Sequence, residues 1–332
     1  MPTDVPPTPP RRALRRPVPT PPATGLALAA ALFLTGCGSE QPEAAGGGST
    51  APADEDFPRT VEHAMGSTEI PERPERVVVL DTGELDSVLS LGITPVGAVT
   101  TAVSDGFLSY LADDAADVEV VGTISEPDLE AIAAAEPDLI LSNRTRHEDI
   151  YEQLSQIAPT VFADRVGAVW KDNLRLDAEA LGLEDEADEL IEEYEADAAA
   201  LGQEIGDPAG TTVSTMRFVE GGIRVYTADS FIGTVMADIG LDHLQLPTAD
   251  VATFAELSAE ELTRADAEVL LYSSYGPVDD SGEAAVVAGP LWPLLTGVAQ
   301  GRAYAVEDDV FYTGIGLRAA TLQLEQLRDL LT

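Results

Sequence analysis

The sequence predicts an α/β protein of two lobes with mainly parallel sheets, joined by one long α-helix. Three observations carry this. Short apolar runs alternate with helical segments from about residue 75 to 165, a stretch at 167–204 keeps helical spacing for far longer, and the alternation then resumes. Strands alternating with helices pair in parallel, with crossover helices covering both sheet faces, so each lobe reads as Rossmann-like.

In the first lobe RVVVL (76–80) is a buried strand, DTGELDSVLSLG (81–92) a helix ending on Gly92, and PVGAV (95–99) the next strand. VEVVG (118–122) precedes the helix PDLEAIAAAE (127–136), whose Pro127 suits a first-turn position. DLILS (138–142) is again an apolar strand, EDIYEQLSQIA a helix, and TVFA (160–163) closes the set. From 167 to 204, apolar residues recur at Trp170, Leu174, Leu181, Leu183, Leu190, Ile191, Tyr194 and Leu201, with acids between them. This spacing predicts one long helix, or two nearly continuous ones broken at Gly182. A helix of about 35 residues runs roughly 50 Å, enough to bridge two lobes.

The second lobe opens after GDPAG (206–210) with TMRFVEGGIRVY (215–226). Gly221-Gly222 between β-branched and aromatic residues predicts a two-residue hairpin turn, with Val219 opposite Arg224 and Arg217 opposite Tyr226. Alternation then places Arg217, Val219, Arg224 and Tyr226 on one face, and Met216, Phe218, Ile223 and Val225 on the core face. Helices from Ser230 (SFIGTVMADIGL) and Ser258 (SAEELTRA) follow, then the strand EVLLYSS (268–274), the apolar turn GPLWPLL (289–295), the strand RAYAVE (302–307) and a terminal helix from about Leu317 to Leu331. Ligands of such sheets bind at the carboxyl ends of the strands, which in a bilobed protein is the cleft between lobes.

The N-terminus has a separate logic. Arg11, Arg12, Arg15 and Arg16 precede GLALAAALFL (25–34), too short to span a bilayer, and small residues follow. This is the layout of a secretory signal. The run LTGC ends on Cys37, the single cysteine of the 332 residues, and resembles the lipobox of bacterial lipoproteins. Lipidation of Cys37 would anchor the protein at the extracytoplasmic face of the cell membrane. The Gly-, Ala-, Pro- and acid-rich segment that follows reads as a tether. The expected divisions are a signal peptide at 1–36, a tether at 37–60, an N-terminal lobe at 61–166, the linking helix at 167–204 and a C-terminal lobe at 205–332. The net charge is −41, and about −44 once residues 1–36, with four arginines and one aspartate, are removed. That excludes nucleic acid and anionic lipid surfaces as partners.

One cysteine rules out an intramolecular disulfide and a thiolate zinc site. A GxSxG elbow is absent, His147-Glu148 lacks the second histidine of a zinc-protease helix, and His63, His147 and His243 are the only histidines, so an enzyme is not expected. The same shortage argues against a manganese- or zinc-binding protein, and no cofactor is expected.

The stretches PERVVVLDTGELDSVLSLGITPVG, VGTISEPDLEAIAAAEPDLILS, YEQLSQIAPTV, WKDNLRLDAEALG, RFVEGGIRVYTADSFIGTVMADIGL and FAELSAEELTRADAEVLLYSS, in this order and spacing over residues 70–330, resemble the iron-siderophore branch of substrate-binding lipoproteins of ABC importers. The resemblance implies a monomeric binding protein, without chemistry of its own, that captures a ferric siderophore and delivers it to a permease dimer with its ATPase. It implies permease-docking acids at Glu130 and Glu260, with Glu261 as a one-residue alternative to the latter. Family clefts are lined by arginines and aromatics, which suit iron-bound oxygens and a compact apolar body. Arg217 matches the family's ligand arginine, Arg144 follows the strand DLILS, and Arg224, Tyr226, Tyr275, Trp292 and Tyr312 come from segments expected at the same opening. Trp292 suits a core wedge between Pro290 and Pro293 equally well, Trp170 suits packing, and Arg318 suits its own helix. A haem- or cobalamin-binding protein of the same architecture is the alternative, with Tyr226, Tyr275 or Tyr312 as axial ligand to haem.

Overall fold

The computed structural model describes residues 56–101, 106–247 and 253–332. The signal segment and Cys37 lie outside the described residues. Among those described, no helix is long and apolar enough to cross a membrane.

The N-terminal lobe holds a six-stranded sheet in the order Glu126–Pro127, Glu119–Thr123, Gly97–Thr100, Val77–Val79, Leu139–Asn143, Thr160–Ala163. All neighbours are parallel except the two-residue edge strand, Glu126–Pro127. The apolar runs sort residue by residue onto the two faces. Val77, Val79, Leu139 and Leu141 join one core cluster, while Val78, Leu80, Ile140 and Phe162 join another. A sheet buried on both faces needs such unbroken runs, which is why its strands are legible as sequence. Asp81 caps the helix Thr82–Ser90, its side chain accepting from the Thr82 N–H. Pro127 lies in the edge strand instead of a helical first turn. The helix that follows is shorter than expected, Leu129–Ala134, because Asp128 accepts from two backbone N–H groups and sets its start. Ahead of this sheet lies the antiparallel pair Arg59–His63 and Gly66–Ile70, which the sequence reading missed and which begins inside the stretch read as tether.

The link between lobes is two helices, Trp170–Leu181 and Glu184–Ile205. Gly182 has φ 70° and ψ 42°, a left-handed cap that ends the first helix and redirects the chain. The first helix ties both cores together: Trp170, Leu174 and Ala178 join the C-lobe cluster, while Ala180 and Leu181 join the N-lobe cluster.

The C-terminal sheet is mixed, in the order Phe254–Leu257, Gly222–Tyr226, Thr212–Val219, Val269–Ser274, Ala303–Ala305, with Asp242–His243 pairing beside Thr212–Val219. In the hairpin Val219 faces Gly222, and Arg224 faces Arg217. The turn is therefore Glu220-Gly221, with Gly221 at φ 84° and not Gly221-Gly222. Each residue's partner moves by two positions, which preserves the faces: Met216, Phe218, Ile223 and Val225 pack together in the core as expected. SAEELTRA forms a 3-10 helix, Ala259–Ala265, opened by a Ser258/Glu261 capping box. The terminal helix Leu317–Leu331 packs on the C-lobe cluster, but its first N–H groups, from Arg318 and Ala319, donate to Asp86 of the N-terminal lobe.

Candidate functional site

Between the lobes, at the carboxyl ends of the parallel strands, lies a cleft of about 580 Å³. The N-lobe contributes Asp81, Thr82, Thr101, Ile124, Ser125, Thr145 and Arg146 to its lining, each just beyond a strand end. From the C-lobe come Arg217, Arg224, Tyr226, Tyr275 and Tyr312, with Phe231, Phe254 and Phe311. Of the residues the sequence pointed to, Arg217, Arg224, Tyr226, Tyr275 and Tyr312 are thus brought together.

Arg144 and Trp292 are not. Asn143 caps the turn Arg144–His147 by accepting from the Arg146 N–H, and residues two apart on a helical turn lie about 200° apart. Arg144 therefore points away and pairs with Asp164, while Arg146 takes the cleft position. The cap three residues before Arg146 is the signal that could have distinguished them. Trp292 is 8% exposed and packs in the C-lobe core, its ring 5.1 Å from Tyr272 and 6.4 Å from Phe218. The core-wedge reading holds. Trp170 likewise packs against Tyr194 and Phe231, and Arg318 binds Asp114 and the Leu89 carbonyl.

Arg217 is only 6% exposed, and its donors are largely committed. Nε donates to Asp308 Oδ1 at 2.7 Å, Nη2 to Asp308 Oδ2 and Thr313 Oγ1, and Nη1 to the Tyr226 hydroxyl at 3.4 Å. Ser273 and Thr313 also donate to Asp308, each at 2.7 Å. The guanidinium stacks 4.2 Å from the Tyr275 ring centroid and lies 5.8 Å from that of Tyr312, two cation–π contacts. Arg224, directly opposite on the next strand, stacks 4.4 Å over Phe254 and lies 3.9 Å from Glu256, too far for a hydrogen bond. Its buried Nε has no hydrogen-bond partner. Arg146 donates from Nε to Asp81 Oδ2 at 3.2 Å. Asp308 and Asp81, the carboxylates that hold these arginines, were missed because they lie far from them in sequence.

Behind the N-lobe wall, Asn143 Nδ2 bridges Asp81 and Glu84 at 3.0 and 3.2 Å. Burial pushes the Glu84 carboxyl up to about 8, and the Asp81 charge adds to the rise. Asp177 is raised by its own burial and then by Glu84. His147 ties the cleft loop down: Nε2 donates to the Ile124 carbonyl at 2.7 Å, so Nδ1 accepts from Ser142 at 2.7 Å. Burial lowers its basicity, which keeps this neutral tautomer. Among the described residues, no cluster of three or more His, Cys, Asp or Glu side chains is arranged to hold a metal ion. Two of the tyrosines considered as axial ligands are engaged: Tyr312 donates to the Leu271 carbonyl at 2.9 Å, and Tyr226 accepts from Arg217.

Two α/β lobes on a helical link, with a cleft of arginines and aromatics at their strand ends, define a bilobed binding protein. Residues 77–310 match the periplasmic binding protein family, to which the chain belongs. It is similar to the protein named "Probable siderophore-binding lipoprotein YfiY" of Bacillus subtilis (strain 168), 38% identical over 312 residues, 90% of this chain and 94% of that one. It is also similar to the Fe(3+)-citrate-binding protein YfmC of the same organism, 31% identical over 299 residues, 88% of this chain and 91% of the other. Among solved structures, Staphylococcus aureus SirA complexed with staphyloferrin B superposes with a TM-score of 0.74 at 29% identity, covering 82% of this chain and 98% of SirA.

Proposed function

We propose that the chain is the substrate-binding component of an ABC importer: it captures a ferric siderophore in the interlobe cleft and delivers it to a membrane permease dimer with its ATPase. The observation that carries this is the convergence of Arg146, Arg217 and Arg224 with Tyr226, Tyr275 and Tyr312 on one 580 Å³ cleft. Guanidinium N–H groups suit the oxygens of an iron chelate, and the rings suit its apolar body. Its similarity to siderophore-binding relatives supports the same reading. The protein works from a lipid anchor on Cys37 at the extracytoplasmic face, and carries no reaction of its own.

Glu130 and Glu260 are the docking acids of this reading. Both are exposed, and neither carboxylate makes a hydrogen bond or ion pair among the described residues. Glu261 is spent on its capping box and on Arg264 at 2.8 Å, which favours Glu260 for docking.

Calorimetric titration of the purified protein with ferric siderophores, haem, cobalamin and Mn²⁺ tests the ligand. Submicromolar affinity for a ferric siderophore is expected, and binding of haem or cobalamin alone would overturn the proposal. Glu130→Arg should keep ligand affinity and abolish uptake. Loss of binding by that variant would remove Glu130 from the docking role.

A further inference from the structure

Behind the N-lobe wall three carboxyls are buried together. Asp81 caps the helix Thr82–Ser90, Glu84 lies on that helix, and Asp177 comes from the linking helix Trp170–Leu181; each is 2% exposed. Glu84 Oε2 and Asp177 Oδ2 are buried without a hydrogen-bond partner. Left as charged carboxylates in an apolar interior, two such oxygens are costly, whereas one added proton turns an acceptor into a donor and removes a charge. A metal ion does not suit the cluster, because Asn143 turns its donor, Nδ2, toward both Asp81 and Glu84 at 3.0 and 3.2 Å. Among the described residues, the cation facing these acids is Arg146, whose Nε donates to Asp81 Oδ2 at 3.2 Å and whose side chain is 43% exposed in the cleft lining. The other charged groups on the surrounding elements are engaged elsewhere. His147 is neutral between Ser142 and the Ile124 carbonyl, Arg175 binds Asp188, Asp86 accepts from the N–H groups of Arg318 and Ala319, and the Arg318 side chain binds Asp114 and the Leu89 carbonyl.

We infer that Glu84 and Asp177 form a proton-binding site, linked to the cleft through Asp81 and Arg146, and that capture of the ligand draws a proton from solvent onto this pair. The inference rests on the ferric-siderophore reading above and adds a coupled ion to it. Electron-rich oxygens of an iron chelate draw on the same guanidinium that compensates Asp81, and the body of the chelate displaces water from beside it. Asp81 is then less well compensated, and its charge reaches Glu84 across the Asn143 bridge. The pair responds by holding its proton more tightly. The free protein leaves room for this: burial, reinforced by Asp81, pushes the Glu84 carboxyl up to about 8, so that near this pH it is half protonated. Since the liganded state binds more protons, affinity is full at lower pH and is lost as pH rises through the titration of Glu84.

The test is calorimetric titration at pH 8, in buffers of different ionisation enthalpy, with the tightest binder among ferrichrome, ferric enterobactin and ferric citrate. Comparing two proteins with one ligand cancels the chelate's own titration. The unmodified protein should take up about 0.4 proton per ligand more than Glu84→Gln, the amount that follows from a roughly tenfold rise in the proton affinity of Glu84. Between pH 7 and pH 9 its affinity should fall about fivefold more than that of the variant. If Glu84→Gln does not fold, Arg146→Gln tests the same link at a partly exposed side chain. That variant should bind more weakly and lose the same uptake, because Asp81 is without its cation before the ligand arrives. Equal proton uptake by the unmodified protein and a folded variant would overturn the inference while leaving the siderophore reading intact. Binding of no ferric complex at all would instead sink the function on which it rests.

Discussion

In the C-terminal wall of the cleft a buried arginine is the central charge, and everything around it is arranged to hold it: Asp308 on Nε and Nη2, Thr313 sharing Nη2, Tyr226 on Nη1, and Tyr275 across one face. In the N-terminal wall the buried charges are acids. Asp81, Glu84 and Asp177 are each 2% exposed, Arg146 touches only the first of them, and one oxygen each of Glu84 and Asp177 has no hydrogen-bond partner. One wall has compensated its buried ions. The other holds Glu84 and Asp177 with raised proton affinity, and the two must respond differently to mutation and to pH.

The largest effect is expected in the compensated wall. Arg217→Ala leaves the partly buried Asp308 with only hydroxyl donors, which costs roughly 2–4 kcal/mol, at or below the range for fully buried broken pairs. It should also weaken ligand binding by at least about tenfold. Urea denaturation reads the first and calorimetry the second. The double variant Arg217→Leu/Asp308→Leu should recover more than half of the stability, but none of the binding. If Arg217→Ala leaves the denaturation midpoint unchanged, the pair is not the stabilising unit described here.

The acid-backed wall makes stability rise on acidification. Glu84 faces Asp81, Asp177, Asn143 and, through Asp81, Arg146; its folded value of about 8 stands above its ordinary 4.5. Asp86 is raised by burial from 3.8 to about 6, despite the N–H groups of Arg318 and Ala319 that donate to it. An acid raised on folding contributes stability that is full below its unfolded value and is lost as pH rises through the folded one. Lowering pH from 8 to 5 should therefore stabilise the protein by roughly 2–4 kcal/mol, with Glu84 acting across the range and Asp86 adding to it below about pH 6. The net charge of −41 acts in the same direction, so the variant Glu84→Gln is needed to isolate the wall. It should flatten the pH 6–8 segment of the stability curve. An equally steep segment in the variant would assign the whole slope to surface repulsion.

The difference between the walls also explains what could be read from the sequence. The strands were legible because a doubly covered sheet writes itself as apolar runs: TVFA matches Thr160–Ala163 residue for residue. The polar face of the hairpin was legible even with the turn misplaced, since consecutive glycines leave the register open but a two-position shift keeps parity. Ion partners were not. Asp308 lies 91 positions from Arg217, and Asp81 lies 65 from Arg146; nothing local announces either contact. The end of the strand DLILS points to Arg144, whereas the Asn143 cap rotates the following turn and brings Arg146 to the cleft. The break of the linking helix depended on one residue, Gly182, whose left-handed φ is a tertiary choice as much as a local one.

The smallest expected effect separates two neighbouring glutamates. Glu261 accepts from the Ser258 N–H and from Arg264, and these contacts, the Ser258 backbone first, hold its carboxyl below the usual range. A lowered acid works with the opposite sign to Glu84: its contribution is present above the unfolded value and fades as pH falls. Glu261→Ala should therefore lower Tm by about 1–3 °C at pH 7 through loss of the capping box, with a smaller deficit near pH 3. Glu260→Ala, which removes no such contact, should leave Tm within about 1 °C. If Glu260 is the docking acid, iron uptake should show the reverse order, with Glu260→Ala the more damaging change. Matching losses of uptake from both variants, at equal Tm, would mean that the 3-10 turn as a whole meets the permease and that Glu260 has no privileged role.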